Sequence, residues 1–104
     1  MKILFAEEAI DDLVDLHGFL VNAESLERAD AILSGIQDSC NKLVKFPEQG
    51  HVPPELESYK TKYRETRFKV WRIIYRIEGK KLYVFAVADS RRDMQAFLER
   101  RLLR

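Results

Sequence analysis

The sequence predicts an α+β fold: an N-terminal strand and an α-helical hairpin packed on a twisted antiparallel β-sheet, followed by a short C-terminal helix. Three observations carry that prediction. Between Tyr63 and Asp93 lie three runs, Tyr63–Phe68, Val70–Ile77 and Leu82–Ala88, dense in β-branched and aromatic residues. The last two are joined by Glu78-Gly79-Lys80, a short polar link with glycine where a tight turn needs positive φ, so they form an antiparallel meander. Upstream, two stretches repeat apolar residues at three- and four-residue spacing, the signature of amphipathic helices. At 104 residues the chain is long enough for one hydrophobic core and too short for two, so residues 1–104 are expected to form a single domain.

In chain order, Lys2–Phe5 is a short apolar run suited to an edge strand beside the meander. From Glu7 the period becomes helical: Ala6, Ala9, Ile10, Leu13, Leu16 and Leu20 share one face, and Glu7, Glu8, Asp11, Asp12 and Asp15 occupy the other. Acids in the first turn suit the helix dipole, and a run of acids on an outer face reads as a solvated surface rather than a metal site. Ser25 is a good N-cap for a second helix with the stripe Leu26, Ala29, Ile32, Leu33, Ile36, Cys40 and Leu43, which Phe46-Pro47 ends. Pro47–Ser58 reads as a loop with Gln49-Gly50 and Pro53-Pro54 as turn chemistry. After the last strand, Ser90 is placed to cap a helix carrying Met94, Phe97, Leu98, Leu102 and Leu103, whose end from Arg100 to Arg104 is basic.

In the central run, period-two alternation sets Trp71, Ile73, Tyr75 and Ile77 on one face and Val70, Arg72, Ile74 and Arg76 on the other. The arginines admit two readings. Either they pair with carboxylates such as Glu65 and Glu78 or reach for the sheet edge, or they belong to a basic concave surface for an anionic partner. Charge is unevenly distributed along the chain. Residues 1–58 carry four basic residues against twelve carboxylates, a net −8, and residues 59–104 carry fourteen against five, a net +9. Such polarity suits a basic face meeting an acidic partner or a nucleic acid, or acidic helices neutralising a basic sheet within the fold.

Other chemistries find little support. Cys40 lies in an apolar helical stripe with no partner for a disulfide and reads as a small buried hydrophobe. His17 and His51 lack the spacing of a metal pair, and no Gly-rich phosphate loop or cysteine knuckle occurs, so no metal and no cofactor are expected. No apolar run approaches the roughly 20 residues that span a bilayer. The opening MKILFAEEAIDDL turns acidic too early for a signal peptide, and a cytoplasmic location is expected.

A strand, a helical hairpin ending in FPEQG, a loop with PPEL, then YRE, WRIIYRIEG and a closing SRRD helix resemble, in that order, the RelE/ParE superfamily of type II toxin-antitoxin toxins. The likeness covers nearly the whole chain. It implies a small α+β toxin, neutralised by a cognate antitoxin whose acidic, partly disordered tail wraps it, in a homodimer or a toxin-antitoxin hetero-oligomer. Within the superfamily, RelE-like members cleave messenger RNA on the ribosome without a metal. Matching the chain to that pattern places Arg64, Arg72 and Arg92 at basic catalytic positions. It also places Thr66 where a second basic residue belongs, and Phe97 or Leu98 where a tyrosine belongs. Arginine stays protonated and cannot replace the missing base. ParE-like members instead inhibit DNA gyrase, and the PPEL segment, acidic hairpin and SRRD turn look more like that branch. The resemblance thus favours a non-enzymatic gyrase inhibitor, with the ribosome-dependent endoribonuclease as the alternative and a plain nucleic-acid-binding module on the basic sheet as a third reading. Arg64, Arg67, Arg72, Arg76, Arg91 and Arg92 are the residues expected to meet the target or the antitoxin.

Overall fold

A computed structural model describes residues 1–102. Its elements run β1 (Lys2–Phe5), α1 (Glu7–Ala23), α2 (Leu26–Lys45), a 3-10 turn at Pro54–Leu56, β2 (Arg64–Phe68), β3 (Trp71–Glu78), β4 (Lys81–Asp89) and α3 (Met94–Leu102). The helical hairpin follows directly from local sequence. Glu7 and Glu8 lie in the first turn of α1, where carboxylates meet the positive end of the helix dipole. The Ser25 hydroxyl accepts a hydrogen bond from the Arg28 amide at 3.0 Å and caps α2.

The four strands form one sheet in the order β1-β4-β3-β2. Strands β2, β3 and β4 make the expected antiparallel meander, with Phe68 opposite Trp71 and Glu78 opposite Lys81. Each two-residue turn has positive φ at its first central residue, 54° at Lys69 and 61° at Gly79, which fits the strand twist. At Gly79 that conformation carries no Cβ penalty; at Lys69 it does. β1 departs from an all-antiparallel sheet, because it pairs parallel to β4 with Lys2 opposite Lys81 and Phe5 opposite Val84. Between β3 and β4 the register shifts: Ile74 lies opposite Ala86 and Tyr75 opposite Val84, so Phe85 is one residue too many.

The bulge decides what each side of the sheet receives. On one side the hairpin helices bury Ala29, Ile32, Ile36 and Leu43 against Ile73, Tyr75, Val84 and Val87. On the other, α3 and the 3-10 turn pack Leu56, Met94, Phe97 and Leu98 against Ile74, Ala86 and Ala88. The molecule therefore has three layers: hairpin, sheet and α3.

Several local expectations change in the fold. Leu26 is 59% exposed and Ile10 also faces solvent, so the hairpin's apolar stripes are narrower than their spacing suggests. Asp12 turns inward from its acidic neighbours, accepting from the Val87 amide at 2.9 Å and from the Arg101 guanidinium at 2.9 and 3.0 Å. Asp93, not Ser90, caps α3: its side-chain oxygen accepts from the Ala96 amide at 3.1 Å, while the Ser90 amide donates to the Val70 carbonyl. Leu103 and Arg104, expected in the last helix, lie outside the described residues.

Candidate functional site

Arg72 is held by two carboxylates. Its Nε donates to Glu65 at 2.5 Å, and its Nη1 and Nη2 form a fork on Glu55 at 2.8 and 2.6 Å. Arg72 is 3% exposed and Glu65 fully buried. Glu65 passes the connection on, because its second oxygen lies 2.8 Å from His51 Nε2. A planar guanidinium with five donors can satisfy two carboxylates at once, as this geometry requires. The Glu55 hydrogen bonds raise the Arg72 pKa above its ordinary value, against the opposing effect of burial. The Arg72 hydrogen bonds in turn pull the Glu55 carboxyl below its ordinary value. Of the two sequence readings for this arginine, internal pairing is the one the fold adopts. Arg72 ties the 3-10 turn and the His51 segment to the sheet and offers nothing to an outside molecule.

Arg64 is also turned inward, on the opposite side. It lies opposite Tyr75, a residue of the helix-facing core, whereas Arg72 lies opposite Arg67. Alternation therefore puts Arg64 and Arg72 on different faces of the sheet. Arg64 Nη2 donates to the carbonyls of Glu48 and Gly50 at 2.8 and 2.6 Å. The Tyr75 hydroxyl donates to the Pro47 carbonyl at 2.8 Å and accepts from the Gly50 amide at 3.1 Å. Between them these groups fasten the FPEQG segment. Gly50 is obligatory there: a Cβ would lie 2.4 Å from the Glu65 carbonyl oxygen and 2.5 Å from the Tyr75 hydroxyl.

The SRRD turn contributes to a separate groove of about 520 Å³ between α1 and the ends of β3 and β4. Arg28, Lys69, Arg91 and Arg92 line it together with Asp15, Glu24 and Asp89, and Phe19 projects into it 69% exposed. Arg91 and Asp89 form an ion pair at 2.5 Å, which holds the Asp89 carboxyl below its ordinary value. The Arg92 guanidinium lies 4.2 Å from the centre of the Phe97 ring. Arg101 crosses behind it to Asp12 and Glu8, so part of the acidic α1 face is neutralised by the basic end of α3.

Arg76 stands apart from both places. It pairs with Glu78, and its guanidinium lies 5.3 Å from the Tyr63 ring centre and 5.1 Å from that of Phe85. Arg67 is exposed on the β2 edge. The six arginines expected to form one basic face are thus distributed over both sides of the sheet and the α1 groove, and the three that a ribonuclease reading needs, Arg64, Arg72 and Arg92, do not converge. Sequence reasoning named Glu65 and Glu78 as partners: the hairpin register brings Glu65 to Arg72, and two-residue spacing along β3 puts Glu78 on the same face as Arg76. Glu55, Asp12 and the Tyr63, Tyr83 and Phe85 cluster were not singled out, because each depends on contacts distant in sequence.

Burial pushes the Cys40 thiol up to about 11, in keeping with an inert core residue. Among the described residues no group of three or more His, Cys, Asp or Glu side chains is arranged to hold a metal ion. None of their helices is long and apolar enough to cross a membrane.

Comparison with known proteins agrees with the fold. A solved structure of a chromosomal ParDE TA system from P. aeruginosa is similar at a TM-score of 0.72 and 16% identity, over 86% of this chain and 95% of that one. No curated protein matches in sequence. A family model, the ParE toxin of the type II toxin-antitoxin system parDE, matches residues 3–94. That span takes in both hairpin helices and, apart from Lys2, all four strands, so the chain belongs to the ParE family of type II toxin-antitoxin toxins.

Proposed function

We propose that this toxin acts in the cytoplasm as a non-enzymatic inhibitor of DNA gyrase, held in check by a cognate antitoxin. The observation that carries this choice over messenger RNA cleavage is the separation of Arg64 and Arg72 onto opposite faces of the sheet, each already engaged by the protein's own oxygens. Cleavage needs cations converging on one phosphate and a group able to take a proton. At the positions where a RelE-like toxin carries its tyrosine, Phe97 and Leu98 are buried apolar residues. The α1 groove with exposed Arg91, Arg92 and Phe19 is the surface we assign to target contact, since it sets solvent-facing guanidinium groups, that of Arg91 paired with Asp89, beside an aromatic anchor.

For the antitoxin, an extended acidic segment adds to the outer edge of β1, where no strand pairs among the described residues. The other edge is less available, because His51 already bridges Glu65 on β2. Purified toxin added to gyrase and relaxed plasmid is expected to block supercoiling and to accumulate cleaved DNA, with antitoxin restoring activity. Normal supercoiling at saturating toxin overturns the gyrase reading.

A further inference from the structure

We propose that the half of the sheet left open beside α3 is a stacking platform for single-stranded nucleic acid. The proposal stands independently of the gyrase reading and uses a different surface from the α1 groove. On its side of the sheet α3 packs with Ile74, Ala86 and Ala88, and Tyr63 borders that cluster while staying half-buried. Beyond it, Tyr63, Tyr83 and Phe85 form a continuous aromatic group: the Tyr63 and Phe85 rings meet edge to face at 5.3 Å, and Tyr83 and Phe85 lie 6.0 Å apart. All three are half-buried, so the rings are fixed by their neighbours while part of each remains accessible. The β4 bulge makes this arrangement, because the extra residue turns Phe85 to the same side as Ala86.

The charge around the rings selects the occupant. Arg76 packs against Tyr63 and Phe85 and lies opposite Tyr83. Lys2 and Lys81 are paired across the parallel ladder, both exposed, and alternation along β4 places Lys81 on the face that holds Tyr83. Glu78 is the acid among them and is taken by Arg76. A row of aromatic rings bordered by lysines is the chemistry that binds unpaired bases by stacking and their phosphates by charge. A flat platform cannot reach the bases of a duplex, whose faces are stacked on one another. Single strands are therefore preferred.

Fluorescence anisotropy of the purified toxin with labelled oligo(dT) and oligo(U), and with a duplex of the same length, tests this. Both single strands are expected to bind more tightly than the duplex. Tyr83→Leu, which keeps apolar bulk and removes the aromatic face, is expected to weaken binding by about 5- to 100-fold. Lys81→Ala is expected to lower the salt slope by about 0.7, one phosphate on a single strand. Lys45→Ala, an equal charge loss at the end of α2, leaves both unchanged. Circular dichroism and thermal melts establish that each variant is folded, and Tyr63→Leu is the second variant should Tyr83→Leu fail to fold. Absence of binding at low salt, equal affinity for duplex, unchanged affinity in the leucine variants, or equal losses in Lys45→Ala and Lys81→Ala would each overturn the proposal. So would protection of β4 amides by the antitoxin with no oligonucleotide binding, which would make the platform a protein contact.

Discussion

Replacing Arg72 by methionine separates a structural arginine from a target-binding one. The substitution keeps most of the side-chain length and removes the charge. Three hydrogen bonds of 2.5, 2.6 and 2.8 Å to two carboxylates disappear, and Glu65, with no exposed surface, is left with His51 as its side-chain partner. Breaking a buried ion pair by removing one member costs about 3–5 kcal/mol, chiefly because the remaining charge stays desolvated. Against a total stability of roughly 5–15 kcal/mol that is a large fraction, and in a domain of this size it lowers Tm by roughly 15–30 °C. Urea unfolding followed by circular dichroism reads the effect. A triple variant, Glu55→Gln, Glu65→Leu and Arg72→Met, removes the stranded charges and is expected to recover most of the loss. If Arg72→Met unfolds within about 1 kcal/mol of the parent while growth inhibition is abolished, Arg72 serves the target and the clamp is not what holds it.

Two further outcomes follow from the same region. Because Arg72 holds the Glu55 carboxyl below its ordinary value, Glu55 contributes stability above the pKa of the unfolded chain and loses it as pH falls through the lower, folded pKa. The urea midpoint is therefore expected to drop on acidification below about pH 4.5, and in Arg72→Met that dependence flattens; an identical pH profile in the two proteins would contradict the linkage. Gly50→Ala places a methyl group against the Glu65 carbonyl and the Tyr75 hydroxyl. It is expected to cost about 1–3 kcal/mol, the usual range for overpacking, and to raise hydrogen exchange at the His51 and Glu65 amides that pair across the gap. A fully stable Gly50→Ala protein would mean that the FPEQG segment is not fastened as described.

The elements were legible because their signals are local. Helix periodicity over Glu7–Lys45 and strand alternation over Tyr63–Asp89 are properties of neighbouring residues, and both survive into the fold. The same holds for Ser25 as a cap and for Glu65 as an Arg72 partner, since a hairpin register brings adjacent strands together predictably. What escaped depends on distance along the chain. Asp12 looks like one acid among five until Arg101 arrives 89 residues later to draw it inward. The bulge at Phe85 has no composition of its own, yet it decides which strand residues meet α3 and which form the open aromatic surface. The basic sheet face failed as a single surface for a related reason. Net charge counts arginines, and only geometry reveals which of them the protein has already used.

The parallel pairing of β1 with β4 bears on when the toxin becomes competent. Lys2 must wait for Lys81 before the first strand has any neighbour, a closure across most of the polypeptide, and such long-range pairings are entropically late. Until β4 has been synthesised, the growing chain has a helical hairpin with half of its sheet missing. A chain that stops short of β4 cannot assemble the native sheet, because β1 then has no ladder to join.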